Sequence, residues 1–316
     1  MEFPLNWGGL KCRPGVEPQR AGSVWRRIIG STKTVGLAVA CALLLPACSA
    51  IKVAYNQAPE LGYWYLDSYF DFNGAQSLQV KEDIASLQAW HRQTQLPAYV
   101  ESLQKVRALM PQDITTNQAC GIYTDVRGKL LAITGRAEPA MVGLVGKLQP
   151  AQLTHLKEKF AKGDAEFRDD YIDTSAASAR NKRHKMALKR AEMLYGRLDE
   201  AQIAVLNRRV DNSVFDAATS LAERQRRQQD VLQTLAPLVA GQAPSDKIQV
   251  AVHGLQERML ASPDVAHRAY LEKLTQDACQ TFAELHNSTT PTQRAKAVEV
   301  LDGYAQDFKL LNQRKT

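Results

Sequence analysis

Apolar residues recur at spacings of three and four along most of the chain, and nothing alternates with period two over a useful length. Ile203, Leu206, Val210, Val214, Ala217 and Leu221 advance by 3, 4, 4, 3 and 4 residues, which predicts one continuous face of a long helix. Leu78, Ile84, Leu87 and Trp90 trace a similar face upstream. Breaks are expected at Pro97, Pro111, Pro139, Gly163, the stretch Gly241 to Pro244, Pro263 and Pro291. No low-complexity linker divides the chain. With 45% hydrophobic residues among 316, a sizeable core can be buried. The expectation is an all-α fold, a single elongated multi-helix domain of about 8–10 helices.

Residues 1–47 read differently. Arg26, Arg27 and Lys33 precede an uncharged apolar run, Val35 to Leu45. That run is too short for a bilayer span, which needs roughly 20 apolar residues. Leu45-Pro46-Ala47-Cys48 follows it and resembles the bacterial lipobox, in which a cysteine behind a small residue is acylated and becomes the new N-terminus. Pro46 is a less usual filler in that pattern. The resemblance implies a signal peptide over 1–47 and lipidation of Cys48, and two or more acyl chains anchor stably where one does not. An ordinary secretory signal with a free Cys48, or a buried helix, is the alternative. Ser49, rather than Asp, resembles lipoproteins sorted to the outer membrane, so the body is expected to face the periplasm. Residues 1–23 look unlike any signal, as a mis-assigned start would.

The leader also distorts the charge. Residues 1–47 hold six basic and two acidic side chains, so the net charge of +7 falls to +3 beyond them. A value that small does not argue for nucleic acid. Once Cys12 and Cys41 leave and Cys48 takes lipid, Cys120 and Cys279 remain as an even pair in an oxidising compartment. They are expected to be joined, with two separate buried thiols as the alternative. The expected organisation is a lipid-anchored aromatic-rich segment over 48–72, a helical domain over 73–312 and a tail over 313–316.

One local pattern recurs. Leu148-Gln-Pro-Ala-Gln152, Leu198-Asp-Glu-Ala-Gln202 and Thr289-Thr-Pro-Thr-Gln293 share a form, and Phe72-Asn-Gly-Ala-Gln76 is a weaker fourth. Each derives as a helix start. Asn73, Asp199 or Thr290 caps, Pro150 or Pro291 takes the first helical position, and the glutamine closes a capping box. Leu198 can staple onto Ile203. The glutamines lie 76, 50 and 91 residues apart, so this is no regular solenoid.

These helix starts resemble the LTxxQ motif of the Spy- and CpxP-like periplasmic chaperones, small helical proteins that bind unfolded clients. A wider resemblance, to a family of uncharacterised Gram-negative lipoproteins known only as a domain of unknown function, rests on three stretches. They are Ala54 to Asp71, Arg190 to Gln202 and Leu285 to Arg294. It implies the same anchor and helical fold and supplies no activity.

Two clusters stand out as candidate surfaces. Tyr55, Tyr63, Trp64, Tyr65, Tyr69, Phe70 and Phe72 crowd one short segment. They are expected to pack onto the body, with Asp67 and Asp71 outside; a place in the lipid interface or a client surface is the rival reading. Arg180, Lys182, Arg183 and Lys185 are candidates for anionic lipid or lipopolysaccharide, against self-neutralisation by Asp164, Glu166, Asp169, Asp170 and Asp173. The six histidines are scattered outside any metal-binding spacing, and no nucleophile elbow, P-loop or dinucleotide fingerprint is present. No catalytic residue, metal or cofactor is expected, although a hydrolase site assembled only in three dimensions stays open as a rival. The expected partners are the membrane, through the Cys48 anchor, and a protein partner or unfolded client.

Overall fold

The computed structural model describes residues 50–313. The expected leader over 1–47, Cys48, Ser49 and residues 314–316 lie outside the described residues. Among those described, eleven α-helices and no strand are present. They are α1 (Ala50–Phe70), α2 (Gly74–Trp90), α3 (Leu96–Leu109), α4 (Thr116–Val145), α5 (Pro150–Tyr171) and α6 (Ala176–Tyr195). Then come α7 (Glu200–Asp211), α8 (Ala217–Ala240), α9 (Ser245–Leu260), α10 (Val265–Asn287) and α11 (Pro291–Gln313). A π-type turn, His91–Gln95, joins α2 to α3, so the two run on as one helix and the all-α expectation holds at ten continuous helical stretches.

Several expected breaks are not breaks. At Pro97 the helix continues, with the Leu96 N–H bonding to the His91 carbonyl five residues back. A proline cannot close the ordinary ladder, and a π turn absorbs the mismatch. Pro139 lies inside α4 and Gly163 inside α5. A Cβ on Gly163 would stand 2.5 Å from the Arg224 guanidinium, so the glycine is there to let that side chain cross α5. Conversely, the long face from Ile203 to Leu221 is cut. The Asp216 side chain accepts from Thr219 N and starts α8, after α7 has ended at Asp211. The apolar spacing passes through this loop without a helix beneath it. Leu78, placed on a core face by the same reasoning, is 67% exposed, and Gln76 and Val80 are the buried residues of α2.

The core divides into two main clusters. One gathers Met110, Tyr195, Leu198, Leu206, Leu285, Ala297 and Leu301 from α6, α7, α10, α11 and the end of α3. The other gathers Val145, Leu148, Leu156, Leu235, Val239, Ile248 and Val252 from α4, α5, α8 and α9, with Tyr69 and Phe70 packed against it. Against the first, beside Tyr195 and Phe282, lies His286, completely buried. Its Nε2 meets the Gln112 carbonyl at 2.8 Å, so that nitrogen must carry the proton, and Nδ1 accepts from the Tyr195 hydroxyl at 2.9 Å. Burial holds its pKa down, which keeps this satisfied core residue neutral.

A third, small cluster of Ile114, Ala119, Cys279 and Ala283 surrounds the disulfide between Cys120 and Cys279, which ties α4 to α10. The bridge closes a sequence separation of 159 residues. Loop-closure entropy on that scale is worth up to about 5 kcal/mol. Replacing both cysteines with alanine is therefore expected to lower the urea midpoint well below that of the oxidised protein. Reductant should lower the wild-type midpoint equally and leave the double variant unchanged.

Candidate functional site

Helix starts, rather than a cleft, carry the most elaborate polar chemistry. Asn73, Thr115 and Asp199 each cap a helix whose third residue, Gln76, Gln118 or Gln202, reaches back to close the box. Thr290 and Gln293 do the same at α11, and Gln152 reaches back to the Gln149 N–H at α5. Four of these five glutamines then turn to one another. Gln76 and Gln152 exchange two amide hydrogen bonds, at 3.0 and 2.9 Å. Gln202 and Gln293 exchange two more, at 2.7 and 2.8 Å.

The remaining N–H of each amide goes to backbone across the junction. Gln76 donates to the Lys147 carbonyl and Gln152 to that of Phe70, at 2.6 and 2.8 Å. Gln202 donates to the Ser288 carbonyl and Gln293 to that of Arg197, at 3.0 and 2.9 Å. Every donor and both lone pairs of each carboxamide are thereby used, as burial requires. A carboxylate cannot donate and asparagine is a methylene short. Gln76 and Gln202 are each only 2% exposed. The capping role was legible from sequence; the pairing was not, because 76 and 91 residues separate the partners. The box at Thr115 was missed, although Thr-x-x-Gln is its plain signal.

Three members of the basic run hold partners within the fold, at its surface. Lys182 pairs with Asp170, as the acidic stretch before it suggested, and lies 5.2 Å over the Tyr171 ring. Arg180 pairs with Asp211 at 3.4 Å, and Arg183 donates to the Val210 carbonyl while covering the Phe215 ring. Lys182 and Lys185 line one open groove together with Asn181, Met186 and Lys189, and Arg180 and Arg183 are not part of it. Two of the four candidate side chains thus share a groove and the two arginines lie apart from it. Asp164, from the same acidic stretch, turns the other way to Arg224 and Gln228, at 2.7 and 2.8 Å.

The aromatic cluster divides between two faces. Tyr63 is buried and donates to Ser77, Phe70 and Phe72 stack at 5.8 Å, and Tyr69 packs on Phe160. Trp64 and Tyr65 are 58% and 55% exposed. Asp71 is exposed, whereas Asp67 is half-buried and accepts from the Phe72 N–H.

One further grouping invites a catalytic reading. Glu223, Ser262 and His267 are all buried where α8 meets the α9–α10 turn. Glu223 accepts a bidentate pair from Arg226, at 2.8 and 3.0 Å, and a third bond from Arg227 at 2.8 Å. The Ser262 hydroxyl donates to the carboxylate at 3.3 Å rather than to the imidazole, and His267 Nε2 stands 4.0 Å away with no hydrogen-bond partner. That geometry holds a carboxylate; it does not activate a nucleophile. Among the described residues, no group of three or more His, Cys, Asp or Glu side chains is arranged to hold a metal.

A last feature lies on α4. Ile122, Val126, Leu130, Ile133, Ala137, Met141 and Leu144 advance by 4, 4, 3, 4, 4 and 3 residues, one uncharged stripe. Between Ala119 and Val145 no residue of this helix is fully buried, and Val126 is 51% exposed. Met141 and Leu144 at its far end pack against the second core cluster, and periodicity alone shows which face is apolar and not how fully it is covered.

Two of these features have measurable consequences. Gln202→Ala strands the Gln293 amide and the Ser288 carbonyl, at an expected cost of about 2–4 kcal/mol. Gln118→Ala, at an exposed and unpaired box, should cost less than about 1 kcal/mol in the same urea titration. Burial would raise the Glu223 pKa, but its two arginines outweigh that and hold it down to about 2. A depressed carboxylate stabilises the fold above its unfolded pKa and loses that contribution as pH falls toward the folded value. Stability should therefore drop from about pH 5 toward pH 2, and Glu223→Gln should flatten that acid limb while lowering stability at pH 7.

Comparison with known proteins gives one positive result. The model of a family of unknown function, DUF6279, matches residues 68–249. That stretch runs from the end of α1 into α9 and includes Gln76, Gln152, Gln202 and Cys120. No curated protein matches, and no solved structure does. The match covers more than half of the 316 residues, and the chain belongs to this family of unknown function.

Proposed function

We propose that the protein is a non-enzymatic interaction module of the cell envelope, anchored through acyl chains on Cys48 and facing the periplasm from the outer membrane. Its helical body receives the apolar segment of a partner or of an unfolded client. The observation that carries this reading is the first part of the α4 stripe, where Val126 is 51% exposed between the half-buried Ile122, Leu130 and Ile133. An apolar segment laid along such a stripe removes hydrocarbon from water on both sides, with no need for a deep pocket. The tether adds to this by concentrating the stripe near the membrane, where newly exported chains are still exposed. Lipid or lipopolysaccharide binding through Arg180, Lys182, Arg183 and Lys185 is supported less, since three of the four already hold partners within the fold.

The unacylated body, made with Cys48→Ser, is expected to slow the aggregation of a chemically denatured model protein, followed by light scattering at equimolar ratio. Val126→Asp, at an exposed position, should abolish most of that protection without lowering the urea midpoint. A wild-type body that leaves the aggregation rate unchanged removes the client-binding reading.

A further inference from the structure

The helix nearest to Cys48 in sequence has two unlike faces. Its inner face is held to the body by a row of specific contacts. Lys52 pairs with Asp307 at 3.4 Å, and the Tyr55 hydroxyl meets His91 at 3.0 Å. Gln88 donates to the Tyr55 carbonyl at 2.6 Å, Arg92 to Asn56 at 3.2 Å, and Tyr63 to Ser77 at 3.0 Å. At 100° per residue the opposite face carries Val53, Ala54, Gln57, Ala58, Leu61, Trp64, Tyr65 and Ser68, an arc of about 140°. None of these is charged. Val53, Trp64 and Tyr65 are 55%, 58% and 55% exposed, the largest apolar side chains that α1 turns to solvent. The stripe is about 22 Å long.

We propose that this outer face of α1 lies in the polar–apolar boundary of a lipid bilayer. The inference rests on the anchoring half of the function proposed above, and two observations choose lipid over other occupants. First, α1 begins at Ala50, two residues after Cys48, so no linker separates the anchored position from this helix. Whatever surface holds residue 48 is the nearest surface available to Val53 and Ala54. Second, the composition is that of an interfacial helix: tryptophan and tyrosine suit the headgroup level, where one end of the ring is wet and the other dry. The remaining charges of α1 agree. Lys52 is engaged with Asp307, Asp67 accepts from the Phe72 N–H, and Glu60 and Asp67 both lie outside the arc. With no basic residue in the arc, anionic headgroups are not required. The helix lies on the membrane; no helix among the described residues is long and apolar enough to cross one.

Because α1 is bolted to the body through Tyr55, Asn56 and Tyr63, seating its outer face fixes the orientation of everything behind it. The two acyl-bearing and aromatic elements act together, as stable anchoring by more than one weak signal requires.

Trp64 and Trp90 are the two indoles beyond residue 47, so Trp90→Phe leaves Trp64 as the reporter. The Trp90→Phe protein, purified from membranes, is reconstituted into phosphatidylcholine–phosphatidylethanolamine vesicles with and without bromine near the headgroup end of the acyl chains. Mass spectrometry of the same sample reads the state of Cys48. The expected result is blue-shifted Trp64 emission, quenched by the brominated lipid and unchanged from 50 mM to 1 M salt, as an uncharged interface requires. Val53→Asp with Tyr65→Asp should cut the quenching by at least about fivefold while leaving the far-ultraviolet dichroism unchanged. An acylated, vesicle-bound protein whose Trp64 stays water-exposed overturns the α1 proposal and leaves the anchor standing. An unacylated Cys48 with Trp64 still quenched overturns the anchor and leaves the α1 face standing. Unquenched Trp64 in a dimer that Trp64→Ser returns to monomer overturns the proposal in favour of a second copy of this chain.

Discussion

The fold depends on an amide pairing with itself. A buried glutamine is costly unless all its hydrogen-bonding capacity is met, and the two Gln–Gln junctions meet all of it by a single device used twice. Each side chain first satisfies its own helix start and then the start of a helix far away in sequence. Local order and long-range order are thereby the same bond. One junction adjoins the core around Leu148 and Leu156, the other the core around Leu198 and Leu285. The turns entering them are shaped to match. Asp71 and Gly196 both adopt positive φ, 49° and 73°, which winds each chain back so that carbonyls of Phe70, Asp71 and Arg197 face the partner amide. Asp and Gly are the residue types that tolerate this region.

How much of this could be read beforehand follows from the range of each interaction. Helices, caps and the positions of Pro150 and Pro291 are set within four residues, and the sequence declares them. The disulfide was legible for a different reason: elimination left two cysteines, and chemistry rather than geometry paired them. Failures arose where distant neighbours decide. The apolar run from Ile203 to Leu221 looks uniform, yet Asp216 starts a new helix inside it because α8 must turn to meet α5 and α9. Gly163 looks like a breaker and is a clearance for Arg224. The partners of Gln76 and Gln202, and the burial of Glu223, lie beyond any local rule.

Charge is handled in the same economical way. Three of the basic residues that a linear reading gathers into a patch go to separate acceptors, Arg180 to Asp211, Lys182 to Asp170 and Arg183 to the Val210 carbonyl, while Lys185 borders an open groove. The strongest electrostatic group is one the sequence does not advertise, Glu223 with Arg226 and Arg227, beside Asp230 with Arg226 and Arg258. It braces α8 against α9 and the turn that follows. The outer arc of α1, from Val53 to Ser68, and the α4 stripe around Val126 carry no charge.

The last helix closes on the first ones. α11 packs along α3, Asp307 holds Lys52, and the Leu311 carbonyl receives Arg92. Gln293 and Cys279 lie in the final fifth of the chain as well. A polypeptide that emerges amino end first must therefore wait, with the faces of α1 and α3 unfilled, until nearly its whole length has been delivered. For that interval the surfaces of α1 and α3 that α11 later covers stay open to water.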